Sequence, residues 1–214
     1  SYNSQIGYNR YNFTTNLNIN VTSTTKLDIG ASGYLGEGRS PHESTSDIFR
    51  VAMTTSPVSL PLMFNIDGKD YIPYDQPNGG FNNPYVGATK RGFKTTTNSQ
   101  IYSNLRLTQD LKFLTEGLNI SGMFAFDTYN SRTVDQSKAE STYYWADKNN
   151  PYDKNGNPIL VQTYEGSKNL GYSVNSEGNR KSYLEASLNY SRVFGEHRVG
   201  ALILYNQEDK VETF

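Results

Sequence analysis

The chain has 214 residues, with 20 Lys and Arg against 21 Asp and Glu, a net charge of -1 and no cysteine. This balance gives no basic field for nucleic acid, and a disulfide framework is excluded. No apolar run approaches the roughly 18 residues of a membrane helix, so the class of helical membrane proteins is excluded too.

The first predicted strand pair occupies residues 8–36. Over residues 11–21, bulky apolar side chains fall at odd positions with polar or small residues between them, and residues 27–35 keep their apolar side chains at odd positions as well. A period of two residues gives each strand one apolar and one polar face. Residues 23–26 are the predicted turn between the two strands.

The second predicted pair lies within residues 97–130, with a turn at residues 113–117. Its apolar faces carry Ile101, Leu105, Leu107, Leu111, Leu118, Ile120, Phe124 and Phe126.

The third predicted pair lies within residues 181–209, with a turn at residues 195–197. Its first strand has one apolar face formed by Leu184, Ala186, Leu188, Tyr190 and Phe194. Residues 201–205 are nearly continuously apolar, so the pattern leaves their facing open.

Tight turns within pairs and long polar insertions between pairs, at residues 37–96 and 131–180, are typical of a transmembrane β-barrel. The predicted strands match or slightly exceed the roughly nine to eleven tilted residues that cross hydrocarbon, whereas strands of soluble sandwiches have about five to six. The expected fold is therefore all-β, an antiparallel transmembrane β-barrel segment of about six strands. Bacterial barrels close with at least about eight strands, so we expect a larger barrel of which this is one part.

The first insertion contains the only helix that the sequence predicts. Ser44 offers an N-cap oxygen, Asp47 is an early acid, and Pro57 ends the helix. The expected apolar face consists of Ile48, Phe49, Ala52 and Met53. We expect the helix either to pack the loop over the barrel rim or to contact a partner.

Aromatic side chains in the insertions are the candidate ligand or partner contacts. Tyr143, Tyr144 and Trp145 form one cluster, and Phe81 and Tyr85 lie in a segment rich in Pro and Gly. Flat rings bury area at low entropic cost and stack on sugar faces. The alternative is that the rings pack the loops against their neighbours.

No catalytic residue, metal site or cofactor is predicted, so we do not expect an enzyme. His42 and His197 lie in a loop and a tight turn, where neither a metal cluster nor a nucleophile with its base can be assembled. Residues 149–158 alternate acids and amides as calcium loops do. The EF-hand pattern requires glycine at the sixth loop position and a bidentate Glu at the end of the loop. Here the glycine is Gly156, which is not at that position, and the terminal Glu is missing, so a β-turn at Asn155-Gly156 is predicted instead.

Four segments resemble one family in the same order along the chain. They are YNRYNFTTNLNINVTSTTKL at residues 8–27, SDIFRVAMTTSP at 46–57, TNSQIYSNLRLTQDL at 97–111 and FGEHRVGALILYNQ at 194–207. Together they are similar to the barrel of SusC/RagA-type TonB-dependent outer-membrane transporters. The four segments together are specific to this family, whereas each segment alone has a strand composition that many barrels share.

This resemblance implies a roughly 22-stranded barrel with an N-terminal plug domain, in the outer membrane of a Gram-negative, Bacteroidota-type bacterium. It implies import of oligosaccharides, or in some cases peptides, with a SusD-like surface lipoprotein as lid and the TonB complex supplying energy. The plug and the TonB-contact segment have no counterpart in these residues. The expected role of the chain is therefore barrel wall and extracellular loops.

Two other functions stay open at this point. A passive porin or adhesin barrel would share the wall but lack a plug. A soluble all-β carbohydrate-binding protein is favoured by the mean hydropathy of -0.68 and by the aromatic residues of the loops.

Overall fold

The computed structural model describes residues 6–56, 61–74 and 83–213. Pro57 and Phe81, both named above, lie outside these residues. The described elements in chain order are β1 Gly7–Asn20, β2 Thr25–Pro41, α1 Thr45–Thr54, β3 Phe64–Ile66, β4 Lys69–Pro73, α2 Pro84–Thr89, β5 Gly92–Asp110, β6 Leu118–Ser137, β7 Thr142–Trp145, β8 Leu160–Tyr164, β9 Ser173–Phe194 and β10 His197–Thr213.

Six long strands form one antiparallel sheet in the order β1-β2-β5-β6-β9-β10. Each predicted strand pair is a pair of neighbours in this sheet, which confirms the predominantly β fold and the antiparallel arrangement. The strands are longer than predicted, because β5 begins at Gly92 and β6 continues to Ser137. Apart from Phe93 and Val134, these extensions contain small, polar or charged residues, so alternation of hydrophobicity does not reveal them.

The turns within the pairs are short. Between β1 and β2, the Val21 backbone N–H donates to the Thr25 carbonyl oxygen at 2.9 Å. Between β9 and β10 the turn contains only Gly195 and Glu196, and His197 pairs with Phe194 as the first residue of β10. The prediction of His197 in the turn is therefore wrong. Gly195 has a φ of 63°, a left-handed conformation that glycine adopts without steric cost.

The described residues fall into two compact units. The strand unit lies within Asn9–Glu37, Thr97–Arg132 and Ser176–Phe214, and the insert unit lies within Ser1–Tyr8, Gly38–Thr96 and Thr133–Asn175. All four buried hydrophobic side chains among the described residues belong to the insert unit: Val51, Phe64, Ile72 and Val86. Within the described part of the chain, the buried hydrophobic core thus lies in the insert unit.

Helix α1 begins where the sequence predicts. The Ser44 hydroxyl oxygen accepts from the Asp47 backbone N–H at 3.0 Å, and Thr55 is the C-cap. The predicted apolar face is wrong, because the helix buries Val51 while Phe49 and Met53 are 65% and 70% exposed. Of the four predicted residues only Ile48, one helical turn before Val51, is half-buried, so the buried side of the helix is rotated away from the predicted one.

A second helix and a second sheet in the insert unit were not predicted. Asn83 caps α2 by accepting from the Tyr85 and Val86 backbone N–H groups, and Pro84 occupies the first turn, a start signal that the sequence does contain. The second sheet has the order β3-β4-β7-β8. β3 and β4 are joined at Asp67-Gly68, both with positive φ, which is the favoured turn of a two-residue hairpin.

Candidate functional site

Contacts between side chains define the polar face of the strand unit. On the first strands, the Asn18 side-chain amide donates to the Asp28 carboxylate, and Asn104 lies against Gly30, where an added Cβ would be 2.9 Å from its amide nitrogen. Asn18 follows Leu17 in sequence, and Asn104 precedes Leu105. Successive side chains in a strand point to opposite faces, so the apolar neighbours lie on the other side.

The same polar face continues over the remaining strands. Arg106 Nη2 lies 3.1 Å from Met123 Sδ and 3.6 Å from Glu185 Oε1, and the hydroxyls of Ser121 and Ser187 lie 2.7 Å apart. The polar residues of β5, β6 and β9 therefore share one side of the sheet.

The pairing of β9 with β10 settles the facing of residues 201–205. Leu188 pairs with Ile203 and Ala186 with Tyr205, so Ile203 and Tyr205 lie on the apolar face. Leu202 pairs with Asn189 and lies on the polar face, where it is 64% exposed. The nearly continuous apolar run thus contributes to both faces.

We call the apolar face of the strand unit the apolar band. Leu17, near its centre on β1, is 52% exposed, and Leu188 on β9 is half-buried. Monomeric soluble proteins rarely expose contiguous apolar patches larger than a few hundred Å². The exposed members among the described residues are Tyr11, Phe13, Leu17, Ile19, Leu35, Ile101, Leu105, Leu107, Ile120, Phe124, Leu184, Phe194, Val199, Ile203 and Tyr205.

The apolar band crosses the strands obliquely. The contacts described above place Asn18, Asp28, Arg106, Met123 and Glu185 level with one another on five adjacent strands. On each strand, the centre of the apolar stretch lies a certain number of residues above or below this line. That distance changes by about six residues over the four strand-to-strand steps from β1 to β9. With a rise of about 3.3 Å per residue and a spacing of about 4.8 Å, this offset corresponds to strands tilted by about 45° to the band.

The height of the band follows from that tilt. Apolar stretches of about nine to eleven residues, inclined at about 45°, span roughly 20–25 Å perpendicular to the band. Transmembrane barrels have strand tilts of about 35–45° and an outward apolar band about 25 Å tall. The dimensions of the band therefore match those of a bilayer core.

The candidate aromatic cluster lies on β7 in the insert unit. Trp145 packs edge-on against Phe64 with ring centroids 5.1 Å apart, and Tyr144 against Trp145 at 5.1 Å. Tyr143 packs edge-on against Tyr71 at 4.8 Å. All three β7 rings are half-buried, so they hold the small sheet together while presenting only part of each ring to a ligand.

Tyr85 is separate from that cluster in its contacts. It lies on α2, is 45% exposed, and makes no ring contact with the β7 aromatics in the described part of the chain. Phe81 lies outside the described residues. The structure thus brings together three of the five predicted contact residues.

Trp145 carries a further feature. Its indole Nε1 is buried without a hydrogen-bond partner. Indole N–H groups are usually paired when buried, and leaving a donor unpaired in the interior costs free energy.

An ion-pair cluster in the insert unit was not predicted. His42 Nδ1 lies 2.6 Å from Asp135 Oδ1, and Lys94 Nζ lies 3.6 Å from Asp135 Oδ2. Nearby in sequence, Arg91 Nε lies 2.5 Å from Glu43 Oε1, with only 16% of each side chain exposed. These ion pairs connect the residues just before α1 to the start of β5 and the end of β6. The sequence alone does not show which of these distant residues pair.

Residues 151–159 form the turn that the sequence predicts at Asn155-Gly156. The Asp153 carboxylate accepts from the backbone N–H groups of Asn157 and Asn155, both at 2.8 Å. The hydrogen bond from the Asn157 N–H is the largest cause that lowers the pKa of Asp153 below 3.8. This carboxylate is occupied by the backbone of its own turn, and no group of three or more potential metal-ligating side chains occurs among the described residues.

Neither helix of the described residues has the length and apolar run needed to cross a membrane. Comparison with known protein families gives no match to this chain, and comparison with curated proteins gives none. The functional argument therefore depends on the two faces of the strand unit and on the insert unit.

Proposed function

We propose that the chain is a wall segment of a transmembrane β-barrel in a bacterial outer membrane. The observation that carries this proposal is the exposed, oblique apolar band of the strand unit, whose tilt and height match a bilayer core. The buried hydrophobic side chains of the described residues all lie in the insert unit. Hydrocarbon is the solvent that makes the apolar band favourable.

The sheet edges support the same proposal. β1 and β10 are the terminal strands of the sheet, with 14 and 17 residues. Unpaired N–H and C=O groups cost several kcal/mol each in hydrocarbon. In a membrane these edges must pair with further strands, so the proposed barrel is larger than six strands.

The proposed activity is TonB-dependent import of nutrients, with oligosaccharides as the proposed substrate class and peptides as the alternative. A polar face rich in amide, hydroxyl and paired charged groups would line the lumen, and the insert unit would lie outside the cell with a SusD-like lipoprotein as partner. This part of the proposal rests on the four segments that resemble SusC/RagA-type transporters and on the polar face.

Spin labels test membrane insertion. Labels at Leu17, Leu105 and Leu188 of the intact protein in bilayers should be accessible to oxygen and shielded from a water-soluble nickel reagent. Labels at the adjacent positions Asn18, Arg106 and Asn189 should show the reverse. Equal accessibility at neighbouring positions would refute the membrane wall.

Energy coupling separates an active importer from a passive porin or adhesin. Uptake of a labelled oligosaccharide by cells that contain the intact protein should stop when the proton-motive force is dissipated or when TonB is removed. Continued uptake under either condition would leave the wall in place and reject TonB-dependent import.

A further inference from the structure

Two arginines lie on the same face as the apolar band, beyond its border at the end of the sheet where β6 continues toward the second insertion. Arg132 directly precedes Thr133, whose hydroxyl lies 3.1 Å from that of Thr96 on the polar face. Arg180 directly precedes Lys181, which pairs with Glu208 at 2.8 Å on the polar face. Alternation therefore places both guanidinium groups on the outward, apolar-band side.

Their height above the band follows from the strand geometry. Arg180 is four positions beyond Leu184 on β9, and Arg132 is six positions beyond Phe126 on β6. At a tilt of about 45°, these positions lie roughly 9 and 14 Å past the border of the band. Arginine stems bend along such a surface and bring the charged group several Å closer to the border. The Arg180 guanidinium thus reaches the level of the lipid headgroups, and that of Arg132 reaches their outer edge.

The surroundings of these arginines favour an anion. Both side chains are exposed, and neither forms an ion pair among the described residues. The Thr128 hydroxyl lies beside Arg180, since it donates to the Asn179 carbonyl oxygen. The only acid close in register is Asp209, which is diagonal to Arg180 across the β9–β10 pairing and makes no ion pair with it in the described structure.

The opposite border of the band differs in charge. Arg192 also lies on the apolar-band face, but its Nη2 is 3.2 Å from the Glu116 carboxylate and its guanidinium stacks on the Phe194 ring. The positive charge there is already compensated. Among the described residues of the strand unit, uncompensated arginines on the apolar-band face therefore mark one border, the border from which β6 leads into the second insertion.

We propose that Arg132 and Arg180 bind the phosphate groups of anionic membrane lipids at that border. Guanidinium groups bind phosphate through paired hydrogen bonds, and each basic residue near an anionic leaflet adds to membrane attraction. This inference rests on the proposed membrane insertion and adds to it a specific lipid contact.

The test uses the intact protein in lipid nanodiscs that contain either zwitterionic phospholipid alone or a fraction of anionic phospholipid. Anionic lipid that remains bound after exchange is measured by mass spectrometry. The Arg132→Gln, Arg180→Gln double variant should bind anionic lipid about tenfold more weakly than the wild type. The Arg192→Gln variant, on the same face at the other border, should bind as the wild type does.

One further variant and one competition measurement test the same proposal. Asp209→Asn should strengthen binding, because it removes the nearest negative charge. Inorganic phosphate at an equal phosphate concentration should not displace the lipid, since it lacks the anchoring acyl chains; displacement would identify a site for free phosphate and overturn the lipid assignment.

Insertion is measured in the same nanodiscs with spin labels at Leu17 and Asn18. If the labels alternate and the double variant still binds anionic lipid as tightly as the wild type, this inference fails and the membrane wall stands. If the labels do not alternate, the proposed function itself fails.

Discussion

The apolar side chains of the strand unit and those of the insert unit are in different environments. In the strand unit, large side chains such as Leu17 and Ile203 are exposed on one face of a regular sheet. In the insert unit, Phe64, Ile72 and Val86 are buried among short strands and helices. Under the proposed function, hydrocarbon would solvate the first arrangement, whereas the second resembles the core of a small water-soluble domain.

This difference means that the two units should be sensitive to different kinds of substitution. Adding charge to the apolar band should prevent insertion, while adding charge to the opposite face of the same strand should be tolerated. Removing a ring from the insert unit should weaken its core. The predictions below test this contrast from the largest expected effect to the smallest.

The largest effect is expected for Leu188→Arg in the intact protein. Leu188 lies near the centre of the apolar band on β9, and an arginine at the bilayer midplane of a barrel costs about 2–4 kcal/mol. The measurement is the free energy of unfolding in bilayers, or the fraction that becomes resistant to protease after insertion.

Asn189→Arg is the matched control. Asn189 is adjacent in sequence, lies on the polar face opposite Leu202 and is exposed. This variant should insert as the wild type does. Equal losses for the two variants would contradict a lipid-facing band.

The strand unit was predictable because an apolar face on one side of the sheet and a polar face on the other impose a period of two on every strand. The pattern can be recognised in the sequence at Leu17, Leu105 and Leu188 without knowing which residues are their cross-strand partners. The extensions of β5 and β6 past the apolar band were missed, because polar residues such as Thr95 and Gln136 lie at positions where the pattern would require large apolar side chains.

The insert unit was less predictable because its structure depends on contacts between residues far apart in sequence. Phe64 packs on Trp145, and β4 pairs in parallel with β7 across about 70 intervening residues. The local signals at Asp67-Gly68 and Asn83-Pro84 are present in the sequence, but the partners of these elements are not. Tyr143–Trp145 was identified as an aromatic cluster, while its half-buried packing emerged only from the fold.

Trp145→Ala should destabilise the insert unit by about 2–3 kcal/mol, somewhat less than the loss of a fully buried aromatic side chain. The ring packs against both Phe64 and Tyr144. Hydrogen exchange of the β7 and β8 amides in the intact protein measures the loss, and the amides of β9 should stay protected.

Trp145→Phe is the control for packing. It keeps a ring against Phe64 and removes the buried, unpaired indole N–H, so protection of β7 should change by less than about 1 kcal/mol. A loss as large as that of the alanine variant would show that the sheet depends on packing of the complete indole ring and not on a single aromatic ring against Phe64.

Gly117→Ala should destabilise the turn between β5 and β6 by about 1–2 kcal/mol. Gly117 has a φ of 85°, and an added methyl would overlap the Ser191 carbonyl oxygen. The Ser191 N–H also donates to the Gly117 carbonyl oxygen at 2.9 Å. Thermal unfolding of the intact protein in detergent measures the change.

Gly195→Ala separates backbone conformation from steric overlap. Gly195 has a φ of 63° but no heavy atom within 4 Å of an added Cβ. Its loss of stability should be smaller than that of Gly117→Ala. The reverse order would mean that conformation, not the close approach of β9, limits the residue at position 117.

The smallest effect is expected at the start of α1. Ser44→Ala removes the acceptor for the Asp47 backbone N–H and should destabilise the helix by about 1 kcal/mol, whereas Ser46→Ala, inside the first turn, should have little effect.

The hydrogen bond from Ser44 is also the largest cause that lowers the pKa of Asp47 below 3.8, ahead of the hydrogen bond from Arg50. A carboxyl with a lowered pKa stabilises the fold above its unfolded pKa, and that contribution disappears as the pH falls through the folded pKa. In the wild type, amide protection of α1 should therefore fall below about pH 4, and in Ser44→Ala this pH dependence should become shallower as the Asp47 pKa rises toward its ordinary value. An unchanged pH dependence in the variant would show that Arg50 alone sets the ionisation of Asp47.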